Sequence, residues 1–108
     1  MTQQVRIGLI GTGRIGQVHA LSIDALKNTT LQWVCDPFVE GAERTAAQFG
    51  GRVTADPADV FTAGDVDAVI IASPTSTHVD LISAAIDAGI PALCEKPIDL
   101  DIARVDSL

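Results

Sequence analysis

Apolar runs alternate with amphipathic stretches along the chain. Val5 to Ile10 is short, β-branched and bounded by glycine, the pattern of a strand. Ile15, Val18, Leu21 (with Ile23) and Leu26 then recur at helical spacing, until Asn28-Thr29-Thr30 breaks the pattern. Leu31 to Cys35 reads as a second strand, ended by Asp36-Pro37. The Ala-rich segment Val39 to Phe49 reads as a helix stopped by Gly50-Gly51. Arg52 to Thr54 is a short third strand. Asp56-Pro57 has the form of an N-cap followed by proline at the first helical position, opening a brief helix over Ala58 to Phe61. Asp67 to Ala72 holds a continuous apolar run, as expected of a strand covered on both faces. Thr75 to Asp87 is the clearest helix, with Val79, Ile82 and Ile86 as its stripe and Gly89 as its stop. Pro91 to Cys94 is a fifth strand, and residues 99–108 begin another helix.

Strands that alternate with helices imply right-handed crossovers and a parallel, doubly wound α/β sheet. The chain has 108 residues, 47% of them hydrophobic and 19% charged, enough for one domain with a real core. The longest apolar run, Ala68 to Ala72, is far short of the roughly 20 residues of a membrane span. The first residues lack the basic start and apolar stretch of a signal peptide, so a cytoplasmic location is expected. Cys35 and Cys94 form no metal-spaced cluster with His19 or His78, and are expected to be buried, reduced thiols with no metal site. The net charge is −7, and residues 55–108 carry ten of the fourteen acids against two basic residues. Such a chain is a poor partner for nucleic acid, which needs clustered Lys and Arg.

The first chemical signal is Gly11-Thr12-Gly13-Arg14-Ile15-Gly16, a G-x-G-x-x-G placed after a strand and opening a helix. Gly11 allows the turn, Gly13 lets backbone approach a pyrophosphate, and Gly16 allows close helix–strand packing. The N–H groups of Arg14 and Ile15 are placed to hold phosphates along the helix dipole. The second signal is Asp36, which ends the second strand 20 residues after Gly16. An acid there accepts hydrogen bonds from the adenosine ribose and repels a 2′-phosphate. Neither Pro37 nor Phe38 compensates with a positive charge, so NAD is favoured over NADP. Together these features point to a Rossmann-type fold. Two plainer readings stand beside this one: a structural glycine turn, and an Asp36 that only caps a helix. A SAM-dependent methyltransferase also places glycines and an acid in this order.

Ser73-Pro74-Thr75-Ser76-Thr77-His78 follows the fourth strand and Glu95-Lys96-Pro97 the fifth, both on the rim where ligands of open α/β sheets bind. Lys96 is the only lysine of the second half. It either meets the reactive end of a cofactor or points into water beside Glu95.

The combination of VRIGLIGTGRIG, a strand ending in Asp36, SPTSTHVDL and CEKPIDLDI resembles the Gfo/Idh/MocA oxidoreductases, and among them the inositol 2-dehydrogenase branch. The resemblance covers essentially the whole chain, and the Glu-Lys-Pro tripeptide is its most specific part. It implies NAD-dependent oxidation of a cyclic polyol or sugar alcohol, myo-inositol to its 2-keto form foremost. It also implies that Lys96 sits beside the nicotinamide and bonds the reacting hydroxyl. The pyrophosphate loop falls to Gly11, Thr12, Gly13, Arg14, Ile15 and Gly16, and the ribose to Asp36. Ser73, Thr75 and His78 are assigned to the cofactor groove, with Glu95 and Pro97 shaping the bend that aims Lys96. For His78 the alternative is packing or capping within its own helix. Members of the family continue into a second α+β domain that supplies the base, the substrate pocket and usually the oligomerisation face. The expectation is therefore a chain truncated before that domain, residues 1–108 being an incomplete NAD(P)-binding domain without turnover of its own. A homo-oligomer is expected only of a full-length parent. A non-catalytic NAD-sensing module is the alternative reading.

Overall fold

The computed structural model describes residues 4–94. Five parallel strands form one sheet in the order β3-β2-β1-β4-β5. The strands are β1 (Val5–Ile10), β2 (Thr29–Cys35), β3 (Arg52–Thr54), β4 (Ala68–Ile71) and β5 (Ala92–Cys94). Helices α1 (Arg14–Ala25), α2 (Val39–Phe49), α3 (Pro57–Thr62) and α4 (His78–Ala88) connect them. A single 3₁₀ turn, Thr75–Thr77, precedes α4. This is the Rossmann-type doubly wound arrangement.

Side chains alternate across the pleat, and each face of the sheet builds its own core. Leu9, Leu31 and Val34 pack with Ala20 and Ile23 of α1 and Ala42 of α2. Ile10, Cys35, Val69 and Ile71 pack with Val60 of α3 and Leu81 and Ala85 of α4. That is why Ala68 to Ala72 is apolar throughout: both faces of β4 are covered.

Two local signals act as written. The Asp56 side chain caps α3 by accepting from Ala58 N, with Pro57 in the first turn. Gly89 closes α4 in the left-handed region at φ 71°.

The start of α4 and the start and register of β2 differ from the sequence pattern: α4 proper begins at His78, after the 3₁₀ turn, rather than at Thr75. β2 starts at Thr29 rather than Leu31, because Thr29 and Thr30 pair with Val5 and Arg6, and β-branched threonines suit an edge of pairing. The register then slips by one residue between Ile7 and Gly8 on β1, leaving Gln32 as the extra residue of a bulge.

The larger difference is the face of α1. The stripe that predicts the helix points outward: Ile15, Val18, Leu21 and Leu26 are 48%, 56%, 60% and 55% exposed. The buried face is Gly16, Ala20 and Ile23. The glycine loop sets this rotation. A Cβ at position 16 would lie 2.1 Å from the Gly11 carbonyl oxygen, so the helix can close on the loop only with Gly16 turned inward. The small residues that share that side then meet the sheet.

Candidate functional site

The strand order reverses between β1 and β4, and ligands of open α/β sheets bind at that switch point, outside the carboxyl ends of the strands. A groove of about 730 Å³ lies there. Its floor is Ile10, Cys35 and Ala72. One wall is the loop Gly11 to Ile15 with Asp36 and Pro37; the other is Pro57, Ser73, Pro74, Ser76, Thr77, Asp80 and Leu81.

The loop is tied into the sheet by backbone bonds from Gly11 N to Cys35 O (2.8 Å) and from Ala72 N to Ile10 O (2.7 Å). Gly11 has φ 103°, and a Cβ there would lie 2.5 Å from Ser73 N, so glycine is required on both counts. Gly13 differs. It precedes α1 with extended backbone, makes no side-chain cap, and has nothing within 4 Å of the position a Cβ would take. The first turn of α1 carries no acid. Its first N–H groups are therefore offered to the groove without an internal acceptor, a natural site for an anion.

Asp36 is held by three donors. Its Oδ2 accepts from Thr12 N (2.9 Å) and Thr12 Oγ1 (2.8 Å), and its Oδ1 from Phe38 N (2.8 Å). Burial pushes the neighbouring Cys35 thiol up to about 12, with Asp36, Asp56 and Asp59 adding to the effect. Cys35 thus stays a neutral, apolar part of the floor.

The structure brings Gly11, Thr12, Gly13, Arg14, Ile15, Asp36 and Ser73 to the groove, with Gly16 packed directly behind the loop. Thr75 and His78 do not line it. His78 is 2% exposed and its Nε2 lies 2.8 Å from Ser73 O, so it holds the loop after β4 from behind. The neighbouring hydroxyls take the groove side: Ser73 Oγ and Thr77 Oγ1 are 2.6 Å apart, and Thr77 Oγ1 donates to Pro74 O. Ser76 and Thr77 belong to the segment that the sequence places on the rim, without a role of their own there, and Pro57 and Asp80 carry no site assignment from the sequence. The rule that ligands sit at carboxyl ends of strands points to Pro57 through the β3–α3 loop. Glu95, Lys96 and Pro97 lie outside the described residues; the strand before them ends at Cys94, paired with Ile71 on this same edge. Among the described residues, no group of three His, Cys, Asp or Glu is placed to hold a metal ion. None of their helices is long and apolar enough to cross a membrane.

An open parallel sheet, a glycine loop at its switch point and an acid at the end of the next strand define a nucleotide-binding domain of the Rossmann class. The chain belongs to the Gfo/Idh/MocA oxidoreductase family, NAD-binding Rossmann fold, whose family model matches residues 5–108. It is 46% identical over 101 residues to inositol 2-dehydrogenase of Rhizobium meliloti, covering 94% of this chain and 30% of that protein. Among solved structures it is similar to a myo-inositol dehydrogenase from Corynebacterium glutamicum, with TM-score 0.92 and 54% identity over 96% of this chain and 31% of that one. A scyllo-inositol dehydrogenase from Lactobacillus casei, solved with bound NAD(H) and scyllo-inositol, superposes with TM-score 0.92 at 32% identity, over 97% of this chain and 32% of that one. The chain thus spans about 30% of the length of the curated relatives it matches.

Proposed function

We propose that this chain is the cofactor-binding part of an NAD-dependent dehydrogenase that oxidises a CH–OH group of a cyclic polyol, myo-inositol to its 2-keto form foremost. The observation that carries the reading is the pairing, across one groove, of an uncapped helix N-terminus behind Gly13 with the carboxylate of Asp36. The first fits a pyrophosphate, and the second fits a ribose hydroxyl. The inositol-oxidising relatives support the substrate class.

In this reading the N–H groups of Arg14 and Ile15 hold the phosphates, and Asp36 accepts from the adenosine ribose. Ser73 lines the groove beyond them. When bound, NAD supplies the hydride acceptor. Lys96, by family resemblance, orients the reacting oxygen and stabilises its developing negative charge. The base and the substrate pocket are assigned to the part of the relatives that this chain does not span. Residues 1–108 alone are accordingly expected to bind NADH without oxidising inositol.

Calorimetric titration tests the first half. The protein is expected to bind NADH in preference to NADPH and to S-adenosylmethionine, and Asp36→Ala to weaken NADH roughly ten- to hundredfold, the range for a hydrogen bond to a charged group. Tighter binding of S-adenosylmethionine overturns the reading. In a protein of the relatives' full length, Lys96→Ala is expected to lower kcat by roughly 10²- to 10⁴-fold with NADH affinity retained. Unchanged turnover removes Lys96 from the chemistry.

A further inference from the structure

We infer that Thr12 and Gln17 are positioning residues that lock the Asp36 carboxylate in the orientation that excludes a phosphorylated ribose. This rests on the dinucleotide reading above and deepens it. A carboxylate has about four acceptor positions. Thr12 N and Thr12 Oγ1 occupy two on Oδ2, and Phe38 N occupies one on Oδ1. One position remains, on Oδ1, for a ribose hydroxyl. A 2′-phosphate brings no such donor, and the carboxylate, held from both ends, cannot swing away from its charge.

Thr12 is itself held. Its carbonyl accepts from Gln17 Nε2 at 3.0 Å, and the same amide donates to Thr45 Oγ1 at 2.7 Å. The Thr45 hydroxyl is buried and donates to Gly41 O at 3.0 Å, within α2. Gly41 lets the first turn of α2 close over this arrangement: a Cβ there would lie 2.6 Å from Thr12 Oγ1. One amide side chain on α1 thus ties the glycine loop to the helix that follows Asp36. A G-x-G-x-x-G loop makes no demand on the residue between its first two glycines, so the hydroxyl at position 12 is explained by Asp36 and not by the turn.

Thr12→Val removes the hydroxyl at nearly constant shape, and Thr12→Ser restores it. NADH and NADPH affinities are measured by calorimetry for each, alongside thermal unfolding midpoints. Thr12→Val is expected to weaken NADH roughly tenfold, the scale of one lost hydrogen bond, and NADPH less, so that the preference narrows. Thr12→Ser is expected to recover the wild-type ratio. Gln17→Met, which removes the bonds to the Thr12 carbonyl and to Thr45 Oγ1 without touching Asp36 itself, is expected to narrow the ratio in the same direction. A purely structural role lowers the unfolding midpoint and leaves the ratio where it was. If Thr12→Val binds both nucleotides in the wild-type ratio, the positioning role is overturned while the dinucleotide reading stands. If Thr12→Val does not fold, Gln17→Met decides: a narrowed ratio supports the inference and an unchanged ratio overturns it. If the wild-type protein binds neither nucleotide, the dinucleotide reading fails and this inference falls with it.

Discussion

Gly13 and Gly16 sit three residues apart in one motif, yet they answer to different demands. A Cβ at Gly16 meets the Gly11 carbonyl oxygen at 2.1 Å, a backbone atom, with no flexible side chain to yield. Gly16→Ala is therefore expected to cost about 3 kcal/mol of stability, read by urea unfolding. A Cβ at Gly13 meets no protein atom within 4 Å, and Gly13 lines the groove assigned to the dinucleotide. Gly13→Ala is expected to cost less than about 1 kcal/mol and still weaken NADH roughly tenfold or more, because it blocks ligand and not protein. Equal effects on stability would show the two glycines to be interchangeable. The motif was legible in the sequence, as was Asp36, because both rest on local chain geometry and a fixed spacing between strands. The partners of Asp36 were not. The bonds from Thr12, and from Gln17 to Thr45, join residues 24 and 28 positions apart, and no periodic pattern encodes which rotamers meet there. His78 shows the same limit. Its place beside Ser73 depends on how one 3₁₀ turn enters α4, which composition does not reveal.

At the scale of elements, the alternation of strand and helix was legible nearly throughout, since each apolar run has its own stop signal. What the pattern could not supply was the rotation of α1. Periodicity finds that a helix exists; it does not say which face meets the sheet when one side carries large apolar residues and the other carries Gly16, Ala20 and Ile23. Close approach settled the matter in favour of the small side. Leu21→Gln is expected to change stability by no more than about 0.5 kcal/mol, since Leu21 faces solvent. Ile23→Ala, on the buried face, is expected to cost about 3 kcal/mol. Chemical unfolding of the pair checks this, and the opposite order would mean that α1 is rotated by about half a turn.

For the whole molecule, two acids fasten the segment that enters β4 to the far side of the sheet from the groove. Asp67 accepts from Arg6 N, Nε and Nη2, and Asp65 accepts from Gln32 Nε2 and from the indole N–H of Trp33. Arg52 stacks over the same indole, 4.6 Å from its centroid. The Arg6 hydrogen bonds hold Asp67 below the usual carboxylate range, and the Gln32 and Trp33 donors do the same for Asp65. A carboxylate lowered in the folded state adds stability above its unfolded value, about 3.9, and loses it as pH falls through the native value. Unfolding followed between pH 6 and pH 3 is expected to show stability declining below about pH 4. The decline is expected to be shallower in an Asp65→Asn, Asp67→Asn double variant, and an unchanged acid limb would show that these acids titrate alike in both states. The sheet order carries a further consequence, one of time. β1 is made first but lies in the middle, between β2 and β4, so one of its edges stays bare until Ala68–Ile71 has been synthesised. At ordinary ribosomal rates that interval is on the order of three to twelve seconds. During it the glycine loop, already translated, lacks the bond from Ala72 N to Ile10 O and the Ser73 backbone that packs against Gly11. The nascent chain therefore has its phosphate-binding sequence long before it has a phosphate-binding site.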